Sequence, residues 1–254
     1  MTLDETTMTP QYVTELATLF ARLGRELRPE NGPDATLQLI CRRAAALVAG
    51  AEHAAISRGR DGKFETVGST SDLPPKVDQI QYDLGSGPCV DAAVHEEIYR
   101  TGSLATDPRW PEFGRRASAE YGISSMLSVR LYLEDDDLVA ALNLYATAAD
   151  AFEPSDEALL LLFATHASAA LTNARLHEQV QHLERALRSN RGIGMAIGVL
   201  MSSYKITQSE AFDLLRMASQ HTHRKLVDVA YGVTETGTLE LPPLPDRASV
   251  RPQD

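Results

Sequence analysis

Cys89 is the residue of this chain that is best placed for covalent or redox chemistry. It follows a glycine-rich turn, 85–88, whose Pro88 suits the first position of a helix. A thiol at a helix N-terminus ionises more readily, and His95 follows six residues later as a candidate base. Six residues do not bring two side chains to one helix face, so a structural or ligand-pocket cysteine is preferred over a redox sensor or a thiol nucleophile. Trp110 is the second sensor candidate.

The other cysteine and the histidines form no metal-binding pattern. Cys41 and Cys89 lie far apart without a CxxC motif, which argues against a zinc site or a disulfide framework. His53, His95 and His166 lack the HxH or i, i+4 spacing that zinc and iron sites use. We therefore predict no metal ion and no bound cofactor.

Basic residues near the C-terminus could bind the phosphates and bases of a nucleic acid. The chain has a net charge of −11, and residues 1–175 hold 15 Lys+Arg against 26 Asp+Glu. Residues 176–233 hold 7 Lys+Arg against 5 Asp+Glu, together with four histidines. Because this segment is only weakly positive, specificity for a nucleic acid would have to come from shape and base contacts.

Three helices packed together are predicted to position these basic residues. Thr207-Gln-Ser-Glu210 is a capping box, so the second of them begins at Thr207, and a third is expected from about Thr222. The helix before them contains glycines that each cost about 1 kcal/mol relative to alanine. Small residues one turn apart allow a second helix to approach the backbone closely. These glycines are Gly192, Gly194 and Gly198.

The stretch 183–233 resembles the ANTAR domain, an RNA-binding module of bacterial transcription antiterminators. The resemblance is carried by AIGVLM from Ala196, TQSEAFDLLRMAS from Thr207 and HRKLVDVA from His223. It implies helix packing by Ala196, Gly198, Met201, Ala211, Leu215 and Ala230. It also implies RNA contacts, for which the candidates are Arg188, Arg191, Lys205, Arg216, His223, Arg224 and Lys225.

Two positions depart from the pattern of that family. Ile197 stands where a lysine is usual, and His223 where an asparagine is common. Together with the weak positive charge, these departures favour an alternative in which the helical end binds a protein partner rather than RNA.

Upstream of this segment the hydrophobic periodicity indicates an α+β domain. Helices are predicted over 10–27 and 34–48, the second capped by Asp34. Cys41 falls on the apolar face of the second helix and is interpreted as a core residue. The segment 69–79 is predicted to be a polar, proline-interrupted connection.

Antiparallel strands are predicted to form the rest of that domain. Two hairpins are expected at 54–67 and 127–145, the second with a solvated acidic turn at 134–137. An edge strand at Ile98-Tyr99 and a helix ending near Gly122 lie between them, and a long helix follows Phe152-Glu-Pro-Ser-Asp.

The motifs LGSGPCVDA, DPRWPEF and LNLYATAADAFEPSD, in this order, resemble the GAF domain over residues 34–175. The resemblance implies an antiparallel sheet flanked by helices that senses a small-molecule effector, whose identity the sequence leaves open.

The closing helix of this domain is predicted to continue into the three-helix segment. Leu176, Val180, Leu183 and Leu187 follow the 4-3-4 spacing of a coiled coil. We interpret them as the seam of a homodimer, with packing inside one chain as the alternative.

The predicted organisation is therefore an N-terminal helix (1–33), a GAF-like sensor domain (34–175), a coiled-coil helix with the ANTAR domain (176–233) and a disordered tail (234–254). The expected function is signal-responsive transcription antitermination through paired RNA stem-loops in a nascent leader transcript. Without a signal peptide or a transmembrane segment, the protein is expected to be cytoplasmic and not bound to a membrane.

Overall fold

The computed structural model describes residues 32–95, 98–133 and 138–239, with residues 14, 17, 18, 21, 22 and 24–27 before them. Residues 14, 17, 18, 21, 22 and 24–26 are helical, but the bounds of the predicted N-terminal helix lie outside the described residues. The predicted acidic turn and the tail beyond residue 239 also lie outside them. The chain divides into an N-terminal unit, Met1–Glu178, and a C-terminal unit, Gln179–Asp254.

The N-terminal unit is an antiparallel sheet with helices on both faces. Its helices are α1 (Gly32–Leu47), α2 (Leu73–Leu84), α3 (Pro88–His95) and α4 (Pro111–Tyr121), with a 3₁₀ turn at Leu104–Thr106. Its strands are β1 (His53–Arg60), β2 (Lys63–Ser69), β3 (Ile98–Thr101), β4 (Ser125–Leu131) and β5 (Leu138–Ala146). The sheet order is β2-β1-β5-β4-β3, with every neighbouring pair antiparallel. Helix α5 (Pro154–Tyr204) begins in this unit and ends in the next.

Two apolar layers bury the two faces of the sheet. One layer packs α1 and the start of α5 against the sheet through residues such as Ile40, Leu142 and Phe163. The other packs α2 and α4 through residues such as Ile80 and Phe113. The α+β prediction and both hairpins are thereby confirmed. Because helices cover both faces, β4 is buried on both sides and does not alternate between core and solvent.

The predicted polar connection at 69–79 is wrong in its second half, because α2 occupies residues 73–84. Pro74 and Pro75 lie in its first turn, where backbone N–H groups have no partner within the helix and proline is tolerated. Its buried side includes the polar residues Asp78 and Gln81, which interrupt the apolar periodicity that predicts a helix. Helix α1 likewise begins at Gly32, so Asp34 lies in its first turn and is not the cap.

The C-terminal unit is a three-helix arrangement of the end of α5, α6 (Gln208–Thr222) and α7 (Leu226–Thr236). The predicted capping box is present: Thr207 N donates to Glu210 Oε2 at 2.8 Å, and Glu210 N donates to Thr207 Oγ1 at 3.4 Å. The third helix begins at Leu226, because His223 takes a left-handed conformation (φ 52°) that ends α6. The core consists of Ala196, Leu200, Ala211, Leu215, Ala218, Val229, Ala230 and Val233.

Among the described residues, no helix is long and apolar enough to cross a bilayer.

Candidate functional site

The predicted RNA-contacting residues all lie at the surface of the C-terminal unit. Arg188 and Arg191 project from α5, Lys205 follows that helix, and Arg216 lies on α6. The connection from α6 to α7 carries His223, Arg224 and Lys225 in succession, all exposed. This connection therefore concentrates three of the seven candidates in one place.

Hydrogen bonds fix the backbone of that connection. Ser219 Oγ donates to the carbonyl oxygen of Arg224 at 2.7 Å, which ties the turn back to α6. Lys225 is the N-cap residue of α7, and its carbonyl accepts from Asp228 N and Val229 N. The basic side chains thus extend from an ordered turn, which lowers the entropy that is lost when they contact a ligand.

Two of the candidate RNA-contacting residues form weak ion pairs within the chain. Arg216 Nη2 lies 2.8 Å from Asp213 Oδ1, and Arg188 Nη2 lies 3.7 Å from Glu184 Oε2. More than half of each of these four side chains is exposed, so each pair contributes roughly 0–1 kcal/mol. An RNA phosphate can therefore compete for both arginines.

The predicted packing residues divide into two groups. Ala196, Ala211, Leu215 and Ala230 are fully buried in the core of the C-terminal unit. Gly198 and Met201, in contrast, are exposed, and a Cβ added at residue 198 meets no described atom within 4 Å. Ala196 and Leu200 lie on the side of α5 that faces the core. Residue 198 lies about 200° around the helix from Ala196 and therefore on the opposite side. Among the described residues, Gly198 and Met201 are therefore not part of the helix core.

The predicted dimer-seam residues are exposed along α5. Leu176, Val180, Leu183 and Leu187 are 46, 52, 62 and 61 % exposed. Large apolar side chains are ordinarily buried, so four at coiled-coil spacing form an unpartnered stripe on the chain.

The interior of the N-terminal unit contains a buried carboxylate, Asp78, that sequence reasoning missed. Its Oδ1 accepts from Tyr145 OH and Gln81 Nε2, and its Oδ2 accepts from Thr66 Oγ1 and Ser57 Oγ. Burial raises the pKa of Asp78 to about 6, and the four hydrogen bonds act in the opposite direction. No local sequence motif predicts this network, because its members come from β1, β2, α2 and β5.

Further hydrogen bonds connect the network to Cys89. Tyr82 OH and Asn143 Nδ2 both donate to Ser57 Oγ, and Asn143 Nδ2 also lies 3.2 Å from Cys89 Sγ. The backbone N–H of Cys89 donates to Gln81 Oε1 at 2.9 Å. The network thereby joins the first turn of α3 to α2 and to the sheet.

Cys89 itself is fully buried. Burial raises the pKa of its thiol, and the nearby Asp78 carboxylate raises it further. The thiol is therefore held in its protonated, unreactive form, which argues against a nucleophile.

Trp110, the other sensor candidate, is also a core residue. Its Nε1 donates to Asp91 Oδ2 at 2.7 Å, the guanidinium of Arg109 lies 4.3 Å from the ring centroid, and Tyr99 packs edge-on. These contacts hold α3, β3 and the start of α4 together.

Two features of the N-terminal unit are candidates for ligand contact: a pair of unpartnered polar atoms and a cavity. Asn143 Oδ1 and Ser128 Oγ, on directly paired residues of β5 and β4, are buried with no hydrogen-bond partner among the described residues. On the opposite face of the sheet, a cavity of about 280 Å³ has an apolar floor that includes Ile56 and Leu171, and a rim that includes Arg58. Within the described part of the chain, no three Cys, His, Asp or Glu side chains cluster as metal ligands.

These features define a sensor-type α+β domain followed by a separate helical unit. A GAF domain model matches residues 30–172, and an ANTAR domain model matches residues 181–233. The chain belongs to the GAF domain family, since that match covers more than half of it, and it carries a C-terminal ANTAR domain. An ANTAR domain indicates an RNA-binding antitermination regulator, and a GAF domain indicates a sensor.

Two solved structures are among those to which this chain is similar. The GAF domain of a phosphoenolpyruvate-protein phosphotransferase from Coxiella burnetii is 17% identical, with a TM-score of 0.49, over 65% of this chain and 96% of that chain. The free methionine-R-sulfoxide reductase of Neisseria meningitidis is 14% identical, with a TM-score of 0.49, over 70% of this chain and 99% of that chain. No curated protein matches this chain.

Proposed function

We propose that this protein is a dimeric antiterminator whose two ANTAR domains bind two paired stem-loops in a nascent leader transcript. Binding would stabilise the paired loops, prevent a terminator hairpin from forming and allow transcription of downstream genes. The observation that supports this most directly is the ordered α6–α7 connection, which presents His223, Arg224 and Lys225 to solvent.

Charge distribution supports contact through the C-terminal unit. Residues 1–175 have a net charge of −11 and repel a polyanion, whereas residues 176–233 have a net charge of +2. With so few basic residues, the unit would not hold long duplexes by phosphate contacts alone. Unpaired loop bases, which arginine and histidine can stack on, are the better fit.

The exposed stripe on α5 supports a dimer. Burying Leu183 and Leu187, each more than 60 % exposed, would gain about 1.5–3 kcal/mol per leucine. Two copies of the ANTAR domain would then bind two loops of one RNA, and the second contact would benefit from a high effective concentration.

The sensor step would act through α5. Its first turns belong to the core of the N-terminal unit through Leu160, Phe163 and Ala167, and its last turns to the core of the C-terminal unit through Ala196 and Leu200. An effector that favours one packing of the first turns of α5 against the N-terminal unit would shift the equilibrium between dimer arrangements of α5. The unsatisfied Asn143 Oδ1 and the cavity beside Arg58 are the two places where such an effector would bind.

Fluorescence anisotropy tests the proposal. The labelled RNA carries two adjacent six-base hairpin loops, and the comparison ligands are the same RNA with scrambled loops and a matched DNA duplex. We expect selective binding to the paired loops, weakened about tenfold or more by Arg224→Ala/Lys225→Ala, with a smaller dependence of affinity on salt.

A matched variant controls for total charge. Lys63→Ala/Arg115→Ala removes two positive charges from exposed positions of the N-terminal unit and should leave RNA affinity unchanged. Equal loss with both double variants would mean that only overall charge matters, and absent or unselective binding by the unmodified protein would contradict the proposal.

A protein partner in place of RNA is the second candidate. It is favoured by Ile197, which replaces the usual lysine and packs partly buried against the core. If the partner is a protein, we expect no binding to any of the three nucleic acids, with or without a candidate effector. A redox role for Cys89 is tested by Cys89→Ser, which should abolish any oxidant response of RNA binding if the thiol is the sensor.

A further inference from the structure

The C-terminal unit exposes an aromatic ring on α7. Tyr231, on α7, is 45 % exposed and belongs neither to the buried core nor to the partly buried residues packed on it. Its hydroxyl has no hydrogen-bond partner among the described residues. Packing of this unit therefore does not account for an aromatic side chain at this position.

The ring is supported by the backbone of α5. Gly192 is buried, and a Cβ built on it would lie 3.5 Å from Cε1 and Cζ of Tyr231. The absence of a side chain at residue 192 lets the ring rest close to the helix while part of it stays in solvent. A ring held in this way loses little rotational freedom when a planar ligand stacks on it.

Basic residues occur on α5 near Gly192 and in the connection that precedes α7. Arg188 lies one turn before Gly192 on the same side of α5, and Arg191 immediately precedes it. Arg224, in the α6–α7 connection, donates from Nη2 to the carbonyl oxygen of Asp228 at 3.4 Å, and Asp228 lies three residues before Tyr231 on α7. Three of the seven predicted RNA-contacting residues are thus linked to this ring by position: two lie within one turn of Gly192, and the third bonds to the turn of α7 that precedes Tyr231.

The other exposed aromatic side chains of this unit lie in different surroundings. Phe212, 40 % exposed, is close in sequence to the acids Glu210 and Asp213, which repel phosphates. Tyr204, 50 % exposed, lies at the end of α5 beside Lys205 alone. Among the exposed aromatic residues described in this unit, Tyr231 is the one that packs on the helix of Arg188 and Arg191 and also follows the turn to which Arg224 bonds.

We propose that Tyr231 stacks on an unpaired base of the RNA loop while Arg188, Arg191 and Arg224 hold the flanking phosphates. This inference rests on the proposed RNA-binding function and identifies the residue that reads the loop as single-stranded. Aromatic stacking accepts any base, so Tyr231 supplies selection for an unpaired nucleotide and not for its identity.

The test uses the full-length protein and the two-loop RNA with 2-aminopurine at each loop position in turn. At one position we expect the fluorescence of 2-aminopurine to be quenched on binding, because stacking on tyrosine quenches it. Tyr231→Leu should remove the quenching and weaken binding about tenfold or more, whereas Tyr231→Phe and Tyr231→Trp should retain both.

Phe212→Leu is the matched control, since it removes an exposed aromatic ring of similar size from the same unit. It should leave affinity and quenching unchanged, and thermal unfolding should show that both leucine variants are folded. Equal behaviour of Tyr231→Leu and Phe212→Leu, in a protein whose binding still depends on Arg224 and Lys225, overturns this inference alone. Failure of the unmodified protein to bind the two-loop RNA overturns it together with the proposed function.

Discussion

Some glycines of the two units have opposite surroundings. In the N-terminal unit, a Cβ at Gly114 would lie 1.8 Å from the carbonyl oxygen of Leu104, and one at Gly50 would lie 2.0 Å from that of Ala151. In the C-terminal unit, a Cβ would meet no described atom within 4 Å at Gly194, Gly198 or Gly232. The first unit contains glycines at which its own backbone leaves no room, and the second has helical glycines that its own packing does not explain.

Exposed apolar side chains differ in the same direction. The C-terminal unit presents Val180, Leu183, Leu187, Met195, Met201, Tyr204, Phe212, Met217 and Tyr231 to solvent, although its buried core is small. The N-terminal unit also exposes Leu84, Val94, Tyr132, Leu161, Leu162 and Leu176, but it buries apolar residues in three clusters, whereas the C-terminal unit has one. The C-terminal unit is instead built to pack against other molecules, which we propose are a second copy along α5 and RNA at Tyr231.

The largest expected effect is that of Gly114→Ala. The added methyl group would overlap the backbone of the 3₁₀ turn, which cannot move as a flexible side chain can. We expect a loss of about 3 kcal/mol or more and a fall of roughly 10 °C in the melting temperature of the N-terminal unit. Calorimetry measures this, with Gly232→Ala as the control, and an unchanged melting temperature would contradict the close approach.

The dimer seam is tested by Leu183→Glu/Leu187→Glu. Placing charges in an apolar coiled-coil seam should raise the dimer dissociation constant at least 100-fold, or about 3 kcal/mol. Sedimentation velocity over a range of concentrations measures it. Met217→Glu, at a 46 % exposed position on α6, should leave the dimer intact. An unmodified protein that stays monomeric at high concentration would refute the seam.

The pH dependence of stability tests the buried network. Since folding raises the pKa of Asp78 from an ordinary 3.8 to about 6, its protonated form stabilises the fold. This stabilisation is fully present below about pH 4, is lost as pH rises to about 6, and amounts to roughly 3 kcal/mol.

The measurement is the free energy of unfolding in urea from pH 4 to pH 7, compared with that of Asp78→Asn. Carboxyl groups with a lowered pKa, such as Glu210 of the capping box, titrate in both proteins and cancel in the difference. Identical pH profiles would mean that Asp78 is not the buried acid of the folded state.

The smallest effect is expected for Gly194→Ala. In an isolated chain the substitution should stabilise α5 by about 1 kcal/mol, as Gly232→Ala should stabilise α7, because both sites have room for a methyl group. If the backbone of α5 packs against a partner at residue 194, only the first variant weakens the dimer. Thermal melts at high and low protein concentration separate these results.

Local features of the fold were predicted correctly from the sequence. The capping box at Thr207 depends on residues three apart, and the hairpins at 54–67 and 127–145 depend on alternation and turn composition. These features are stabilised by interactions between residues close in sequence, so the sequence alone is sufficient to predict them. The order of the motifs was likewise sufficient to predict a GAF domain followed by an ANTAR domain, which the family matches confirm.

Contacts between distant residues were decided by the tertiary structure. Asn143 donates to Ser57 across 86 positions and Tyr145 to Asp78 across 67, so no periodicity marks the buried network or the polar side of α2. The exposure of Gly198 and the pairing of Tyr231 with Gly192 also depend on how helices pack. The sequence by itself determined most of the elements, though not α2, and the two domain families, because these follow from local propensity and motif. Only the tertiary structure decided which polar groups share one interior and which rings remain exposed, because hydrogen bonding and burial depend on distances that folding alone creates.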